Sequence, residues 1–222
     1  MPAAPSLSSP LRARDLDIPR GLLGSRLYAN GGYLLASGLI GPETLDGLRA
    51  EADSARPRGT RGVVAQSDGT EYRGGSPARA YRSAPGDDLH WALHASPRMV
   101  DALSRWCGVA AEATGAGTYS YYEQAGDFLA LHRDVVNCDM AVITCLSLRD
   151  ADGASGGLLV YPNHMHEPIS TIRAAGRSAG VAVPMVQGDT VALLGGIVAH
   201  EVTPASASQE RIVSIMCYRL VA

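Results

Sequence analysis

The pattern of apolar and polar residues changes near residue 117 of the chain. Before that point, apolar residues between positions 45 and 52 recur at helical spacing, which predicts a helix from residue 42 to about residue 57. Ser96 and Pro97 have the form of a helix cap followed by proline at the first helical position, so a second helix is predicted to run to about residue 114. A short strand and a shorter helical turn complete this half, at residues 31–39 and 87–94.

After residue 117, the chain consists of short runs rich in Val, Ile, Leu, Tyr and Thr, each bounded by Gly, Pro, Asn or Asp. Runs of this kind are typical of strands. Helices followed by about seven or eight strands predict a mainly β protein with flanking helices (α+β), built as a jelly-roll barrel, or double-stranded β-helix. The predicted strands span residues 118–124, 127–135, 140–148, 157–161, 181–185, 190–194 and 211–220.

Two segments lack a regular period. Residues 1–20 contain Pro, Ser and Arg and are expected to form a flexible N-terminal arm. Residues 56–86 are rich in Arg and Gly, and a connection of this length inside a compact domain is usually functional or disordered. As a lid, this segment would offer an anionic substrate the side chains of Arg73, Arg79 and Arg82; as a solvated loop it would offer none.

Composition favours a single domain. With 222 residues and 46% apolar content, the chain can bury one sizeable core. We predict one domain over residues 21–222, with a helical buttress and lid at 21–117 and the jelly-roll core at 118–220. A net charge of -3 excludes the strongly basic surface of a nucleic-acid-binding protein. No apolar run approaches the roughly 18 residues of a membrane span and no signal-peptide pattern is visible, so we expect a cytoplasmic protein without a membrane partner.

The four cysteines are far apart in sequence and include no C-x-x-C pair. This spacing favours neither a zinc knuckle nor a disulfide framework. We therefore expect reduced and mostly buried thiols at all four positions, which are Cys107, Cys138, Cys145 and Cys217.

Candidate chemistry begins at residues 131–134, Leu-His-Arg-Asp. His132 and Asp134 are separated by one residue, so on an extended strand both side chains leave the same face and can bind one ion. His200, after a later predicted strand, would complete a set of two histidines and one carboxylate. Such a set covers one face of an octahedral metal and leaves the opposite positions open, as in non-haem Fe(II) oxygenases.

Four stretches in this half of the chain resemble the Fe(II)/2-oxoglutarate-dependent dioxygenase superfamily. The resemblance is closest to its smaller members, which are related to prolyl hydroxylases and phytanoyl-CoA hydroxylase. It extends over roughly residues 118–220. The matching stretches are residues 122–134, 141–148, 156–162 and 188–211.

The resemblance implies a site. His132, Asp134 and His200 would hold Fe(II), 2-oxoglutarate would chelate the metal, and one position would remain for O2. Arg211 would bind the far carboxylate of 2-oxoglutarate, because a guanidinium offers two parallel donors. Three further positions are expected near the co-substrate: Tyr122 (or Tyr121, if Gly126 introduces a bulge), Thr144 and Ser214.

The carboxylate of Asp134 favours hydroxylation, desaturation or ring formation, since halogenases of the superfamily have Gly or Ala there. A small-molecule substrate is expected, an amino acid or a natural-product intermediate, and the oligomeric state stays open. One alternative is a cupin-like metalloenzyme that does not use 2-oxoglutarate and binds its metal through His164 and His166; in the main interpretation these two histidines face the substrate or the surface. The other alternative is an inactive barrel that acts as a binding module.

Overall fold

The structure is a computed structural model that describes residues 19–68, 71–149 and 156–221. The predicted arm, residues 1–20, lies outside the described residues apart from its last two positions. In the described chain, eleven strands form a single sheet that curves into a nearly closed barrel. The strands are β1 (Tyr33–Ala36), β2 (Thr60–Val64), β3 (Arg79–Pro85), β4 (Ala110–Tyr122), β5 (Phe128–His132), β6 (Met140–Arg149), β7 (Leu158–Val160), β8 (Val181–Val183), β9 (Thr190–Leu193), β10 (His200–Val202) and β11 (Glu210–Val221).

The strand order around the barrel is β1-β9-β6-β11-β4-β3-β5-β10-β7-β8, and β2 pairs with β3 outside this path. All the pairings are antiparallel. Strands that are distant in sequence therefore lie side by side, as in a jelly roll. The predicted fold class, a helix-flanked jelly roll, is confirmed.

Five α-helices accompany the sheet in the described chain. None of the helices in this part of the chain is long and apolar enough to cross a membrane. Local signals start the two longest helices, because Pro42 occupies the first turn of one and Ser96 accepts a hydrogen bond from the Met99 amide in the other. The helices are α1 (Arg26–Ala29), α2 (Pro42–Ala55), α3 (Asp88–His94), α4 (Pro97–Cys107) and α5 (Ile169–Ala175). Short 3-10 turns span Arg20–Gly24, Arg56–Arg58, Pro162–His164 and Arg177–Ala179.

The main hydrophobic core joins α2, α3 and α4 to strands β4, β6, β9 and β11. Leu48 of α2 and Leu103 of α4 are completely buried in it. The hydroxyl groups of Tyr119 and Tyr121 cross the same interface, where they donate to Glu51 and to the Ala52 carbonyl of α2. This face of β4 is therefore the helical face of the sheet, and the other face lines the barrel interior.

A smaller apolar cluster lies beneath α5. It is separate from the main core and joins α5 to β5, β7 and the segment before β10. Its buried members are Leu131, Leu159, Tyr161, Ile169, Ile172 and Ala199.

Two predictions for the first half of the chain are wrong: the end of the second long helix and the irregular character of residues 56–86. The second long helix ends at Cys107 rather than near residue 114, because Gly108 adopts a left-handed conformation (φ 68) and closes it, so that β4 begins at Ala110. Residues 56–86 do not form one irregular connection, since they contain β2 and β3, which pair in register from Thr60 opposite Ser83. Their Arg- and Gly-rich composition hides these strands, and long-range pairing of β3 with β4 and β5 stabilises them.

The expectation of four reduced thiols is wrong for one pair. Cys138 and Cys217 form a disulfide although 79 residues separate them in sequence, and only Cys107 and Cys145 are free, buried thiols. Cys138 precedes β6 and Cys217 lies in β11, the antiparallel neighbour of β6, so the sheet brings the two residues together. Cysteine spacing carries no information about such a strand pairing.

Candidate metal centre

His132, Asp134 and His200 converge at one end of the barrel. His132 ends β5 and His200 begins β10, and the two are directly paired across these antiparallel strands. The Oδ1 atom of Asp134 lies 3.5 Å from the Nε2 atom of His132 and 3.7 Å from that of His200. One potential ligand atom from each residue lies within 4.8 Å of the other two, and the described residues contain no second such group of His, Cys, Asp or Glu.

Both imidazole rings are oriented by backbone carbonyls. The Nδ1 atom of His132 lies 2.9 Å from the Ala130 carbonyl oxygen, and that of His200 lies 3.0 Å from the Val198 carbonyl oxygen. We assign the proton to Nδ1 in each ring, because a carbonyl oxygen can only accept, and this leaves the Nε2 lone pairs directed at the centre. Burial, reinforced by the neighbouring His132, lowers the pKa of His200 to about 4, which keeps that ring neutral at neutral pH.

The carboxylate of Asp134 fits closely against Gly195. The Asp134 amide donates to the Gly195 carbonyl at 2.8 Å, and a Cβ atom added to Gly195 would lie 1.9 Å from Asp134 Oδ2. This oxygen is buried without a hydrogen-bond partner in the described chain. The other oxygen, Oδ1, lies beside the two imidazole lone pairs, so this buried carboxylate fits a bound cation, which would satisfy all three groups. Two histidines and one carboxylate on one side are typical of non-haem Fe(II).

Arg211 lies on the inner face of the sheet. It is directly paired with Tyr122 of β4, and its guanidinium is buried, where it donates to the Gly156 carbonyl at 2.9 Å and contacts the Met185 sulfur at 3.2 Å. In the described part of the chain it has no carboxylate partner. Because a buried, uncompensated cation is costly, this guanidinium is suited to an anionic ligand.

Of the two neighbouring tyrosines, Tyr122 faces the interior and Tyr121 faces α2. The ring of Tyr122 stacks on Tyr81 of β3 with centroids 5.1 Å apart. The pKa of Tyr81 is raised by burial and, in addition, by the negative charge of Asp134, so its hydroxyl belongs to the metal end of the barrel. Sequence reasoning missed Tyr81 because it lies in β3, inside the segment that we predicted to be irregular.

Thr144 and Ser214 lie on the helical face. Ser214 is paired with both Thr144 and Tyr119, and directly paired residues share a face of the sheet. Since the Tyr119 hydroxyl reaches Glu51 of α2, all three side chains point away from the interior. The expectation that Thr144 and Ser214 contact the co-substrate beside Arg211 is corrected, because strand parity places them on the opposite side.

Arg73 supports the centre from outside. Its guanidinium donates to the Asp134 carbonyl at 3.1 Å and to Asp139 Oδ1 at 2.6 Å. It packs so closely on Gly196 that a Cβ atom there would lie 2.7 Å from the guanidinium carbon. Arg73 therefore holds the loop after Asp134, a role different from the predicted contact with substrate.

The other two arginines of this segment also have partners within the protein. Arg79 donates to Ser76 Oγ at 3.2 Å and to a neighbouring carbonyl. Arg82 donates to Glu123 Oε1 at 2.8 Å and is paired with Tyr121, which places it on the helical face. Neither contact brings a free guanidinium to the metal end of the barrel.

Arg133, between His132 and Asp134, is a residue whose role the sequence did not indicate. It is 1% exposed, its hydrogen-bond partners among the described residues are all carbonyl oxygens, and burial lowers its pKa to about 10. These carbonyls come from three separate segments around the site. They belong to Ile197 (2.5 Å), Tyr72 (3.3 Å), His164 (3.1 Å), Met165 (3.1 Å) and Glu167 (2.8 Å).

His164 and His166 do not form a second metal site. The Nδ1 atom of His164 lies 2.9 Å from Glu167 Oε2, and the Nε2 atom of His166 lies 3.0 Å from the Tyr28 hydroxyl. The two imidazoles thus face different partners. The geometry does not favour the cupin-like alternative, which requires both to bind one ion.

Comparison with solved structures supports this architecture. No protein-family model matches the sequence, and no curated protein sequence matches it. Among solved structures, the chain is similar to the non-heme alpha ketoglutarate dependent epimerase SnoN from nogalamycin biosynthesis, with 16% identity, a TM-score of 0.66 and coverage of 87% of this chain and 81% of that one. It is also similar to AviO1 from Streptomyces viridochromogenes Tue57, with 20% identity, a TM-score of 0.63 and coverage of 95% of this chain and 96% of that one. A prolyl-4-hydroxylase from Pseudomonas putida is a further neighbour, with 17% identity, a TM-score of 0.60 and coverage of 88% of this chain and 96% of that one. The chain therefore shares the double-stranded β-helix fold of these proteins.

Proposed function

We propose that the protein is a non-haem Fe(II)/2-oxoglutarate-dependent oxygenase that hydroxylates a small molecule, with succinate and carbon dioxide as co-products. One observation carries the proposal: one potential ligand atom from each of His132, Asp134 and His200 lies within 4.8 Å of the other two, and the second carboxylate oxygen of Asp134 is buried without a partner among the described residues. Solved neighbours described as alpha ketoglutarate dependent support the same chemistry, and one of them contains Fe3+ and alpha ketoglutarate.

Each residue of the proposed site has a physical role. His132 and His200 would bind Fe(II) as neutral imidazoles, and Asp134 would cancel one of the two positive charges of the ion. The guanidinium of Arg211 would pair with the far carboxylate of 2-oxoglutarate. Iron, 2-oxoglutarate and O2 together supply the oxidation that removes hydrogen from the substrate. The protein positions the reactants and, through the stacked rings of Tyr81 and Tyr122, excludes water from the interior.

The type of outcome follows from the ligand set. A carboxylate at position 134 occupies the place that a halide would need, so we propose hydroxylation rather than halogenation. Neighbours with this fold are described as an epimerase, a carbocyclase and prolyl hydroxylases, so the same architecture supports several oxidative outcomes. An amino acid or a natural-product intermediate is the proposed substrate class.

Anaerobic titration tests the proposal directly. Adding Fe(II) and then 2-oxoglutarate to the protein should produce a visible charge-transfer absorption band. Arg211→Ala should weaken 2-oxoglutarate binding by about tenfold or more while Fe(II) binding survives, because a charge-assisted pair is lost away from the metal. Arg98 is an exposed arginine of α4, so Arg98→Ala is the matched control and should leave the affinities for Fe(II) and for 2-oxoglutarate unchanged. A well-folded protein that shows no band would refute the proposal.

A further inference from the structure

A cavity of about 200 Å³ opens beside His132. Its origin lies in the strand pairing, because β3 pairs with β5 only at Phe128 and Leu129. Two further backbone bonds, from the Ala130 amide to the Ala78 carbonyl and from the Gly74 amide to the Arg133 carbonyl, join the end of β5 to the segment before β3, whose Gly74 and Pro77 line the cavity. The barrel wall therefore has a gap at the end of β5 where the first histidine of the site lies.

The cavity reaches the candidate metal centre at one residue, His132. The His132 side chain lines the cavity and is 11% exposed, although its Nε2 atom faces Asp134. Leu131 and Ile169 form an apolar part of the wall. A small molecule in the cavity would thus contact one of the proposed metal ligands from the side of the solvent.

Two opposite charges line the same cavity. Arg173 of α5 is exposed and has no hydrogen bond or ion pair with any residue of the described chain. Glu71 also lines the cavity, and its Oε2 atom accepts a hydrogen bond from the Ser170 amide at 2.9 Å. Contacts with Ser170, together with the charge of Arg173, lower the pKa of Glu71, so this carboxylate is ionised at neutral pH.

The two charges remain separate. A surface ion pair would bring a guanidinium nitrogen and a carboxylate oxygen within 4.0 Å, and no such contact joins Arg173 to Glu71. Glu71 is instead held by the backbone at the start of α5, which leaves the Arg173 guanidinium available. Arg173 is also distinct from Arg211, because it lies at the outer opening and not in the barrel interior.

We propose that this cavity binds the substrate and that the substrate is a small zwitterion, an amino acid in the simplest case. Arg173 pairs with its carboxylate, Glu71 pairs with its ammonium group, and the apolar wall receives its side chain. The inference rests on the proposed oxygenase function and deepens it, since it names the chemical class that the site accepts.

Succinate release from 2-oxoglutarate tests the inference. The iron-loaded enzyme is assayed with each standard amino acid, its amide and its N-acetyl derivative, so that the carboxylate and the ammonium group are removed one at a time. We expect at least one free amino acid to stimulate succinate release, and both of its derivatives to fail. Arg173→Gln should raise the KM for that amino acid by about tenfold or more while the KM for 2-oxoglutarate stays constant.

Two variants complete the test. Glu71→Gln keeps an acceptor for the Ser170 amide but removes the charge, so it should raise the amino-acid KM without changing the KM for 2-oxoglutarate. Arg98→Gln is the control and should have no effect. Equal stimulation by the amide, or no stimulation by any free amino acid, overturns the inference. If the absorption band with Fe(II) and 2-oxoglutarate still forms in that case, the proposed function stands and only the substrate class is wrong.

Discussion

The two sides of the barrel are held together by different kinds of contact. Strands β4, β6 and β11 pack against α2 and α4 through the main apolar core, in which Leu48 and Leu103 are fully buried. Strands β5, β7 and β10, which carry the two histidines of the site, also reach the main core through Leu158, Val160 and Val202, and in addition they pack on the small apolar cluster beneath α5. Around that cluster, polar contacts join the segments, above all the carbonyl contacts of Arg133.

This difference has a physical consequence. Apolar burial is strong but non-directional, so the helical side can supply stability without defining the position of any single atom. Hydrogen bonds contribute less net free energy but fix distance and angle. The proposed metal site would need ligand atoms in defined positions, and the polar contacts around it would provide them. Variants on the two sides should therefore separate stability from metal binding.

The largest loss of stability is expected from Leu103→Ala on the helical side. Removal of a fully buried leucine side chain should lower the free energy of unfolding by about 4 kcal/mol, through lost burial and the cavity that remains. Fe(II) affinity should change less than about twofold, because the ligands lie on the other side. Urea unfolding of the metal-free protein measures the free energy of unfolding, and Fe(II) titration measures the affinity for the metal. A tenfold loss of Fe(II) affinity would contradict the separation of the two sides.

Arg133→Met should cost about 3 kcal/mol, since buried carbonyl oxygens of three segments lose their donor. In contrast to Leu103→Ala, it should also weaken Fe(II) binding by about tenfold or more, because these segments flank the ligands. Arg133→Lys keeps the charge with fewer donors and should lie between the wild type and Arg133→Met in both measurements. A loss of stability at unchanged Fe(II) affinity would show that Arg133 has no positioning role.

Gly195→Ala should affect stability less, by about 1–2 kcal/mol, because one methyl group is forced into a packed region. Its effect on Fe(II) affinity should nevertheless be about tenfold or more, since the new Cβ atom would displace the Asp134 carboxylate. Gly157→Ala is the matched control, because a Cβ atom there would meet no atom within 4 Å. The comparison between the sides fails if both variants bind Fe(II) like the wild type.

Tyr161→Phe is expected to have the smallest effect. The Tyr161 hydroxyl donates to Glu201 Oε1 at 2.6 Å, and Arg177 donates to the other oxygen of this carboxylate. Loss of one hydrogen bond should lower the free energy of unfolding by about 1 kcal/mol. Fe(II) affinity should fall less than about threefold, since Arg177 still holds Glu201. Calorimetry and Fe(II) titration measure both effects, and a larger loss of affinity would identify Glu201 as the support of the adjacent His200.

Local sequence signals predicted the elements that depend on neighbouring residues. Helical spacing and proline at the first turn located α2, and short apolar runs bounded by turn residues located most strands of the jelly roll, although not β10. The one-residue spacing of His132 and Asp134 was enough to predict that they face one ion. It also led to His200, because the order of the strands returns a later histidine to the same end of the barrel.

Only the tertiary structure decided which residues meet across the sheet. Long-range pairing revealed β2 and β3 and joined Cys138 to Cys217. Strand parity moved Thr144 and Ser214 to the helical face and placed Tyr81 beside the site. The carbonyl contacts of Arg133 and the steric fit of Gly195 likewise come from segments distant in sequence. Spacing along a strand is a local property that the sequence determines by itself, whereas register between strands depends on contacts that exist only after the chain has folded.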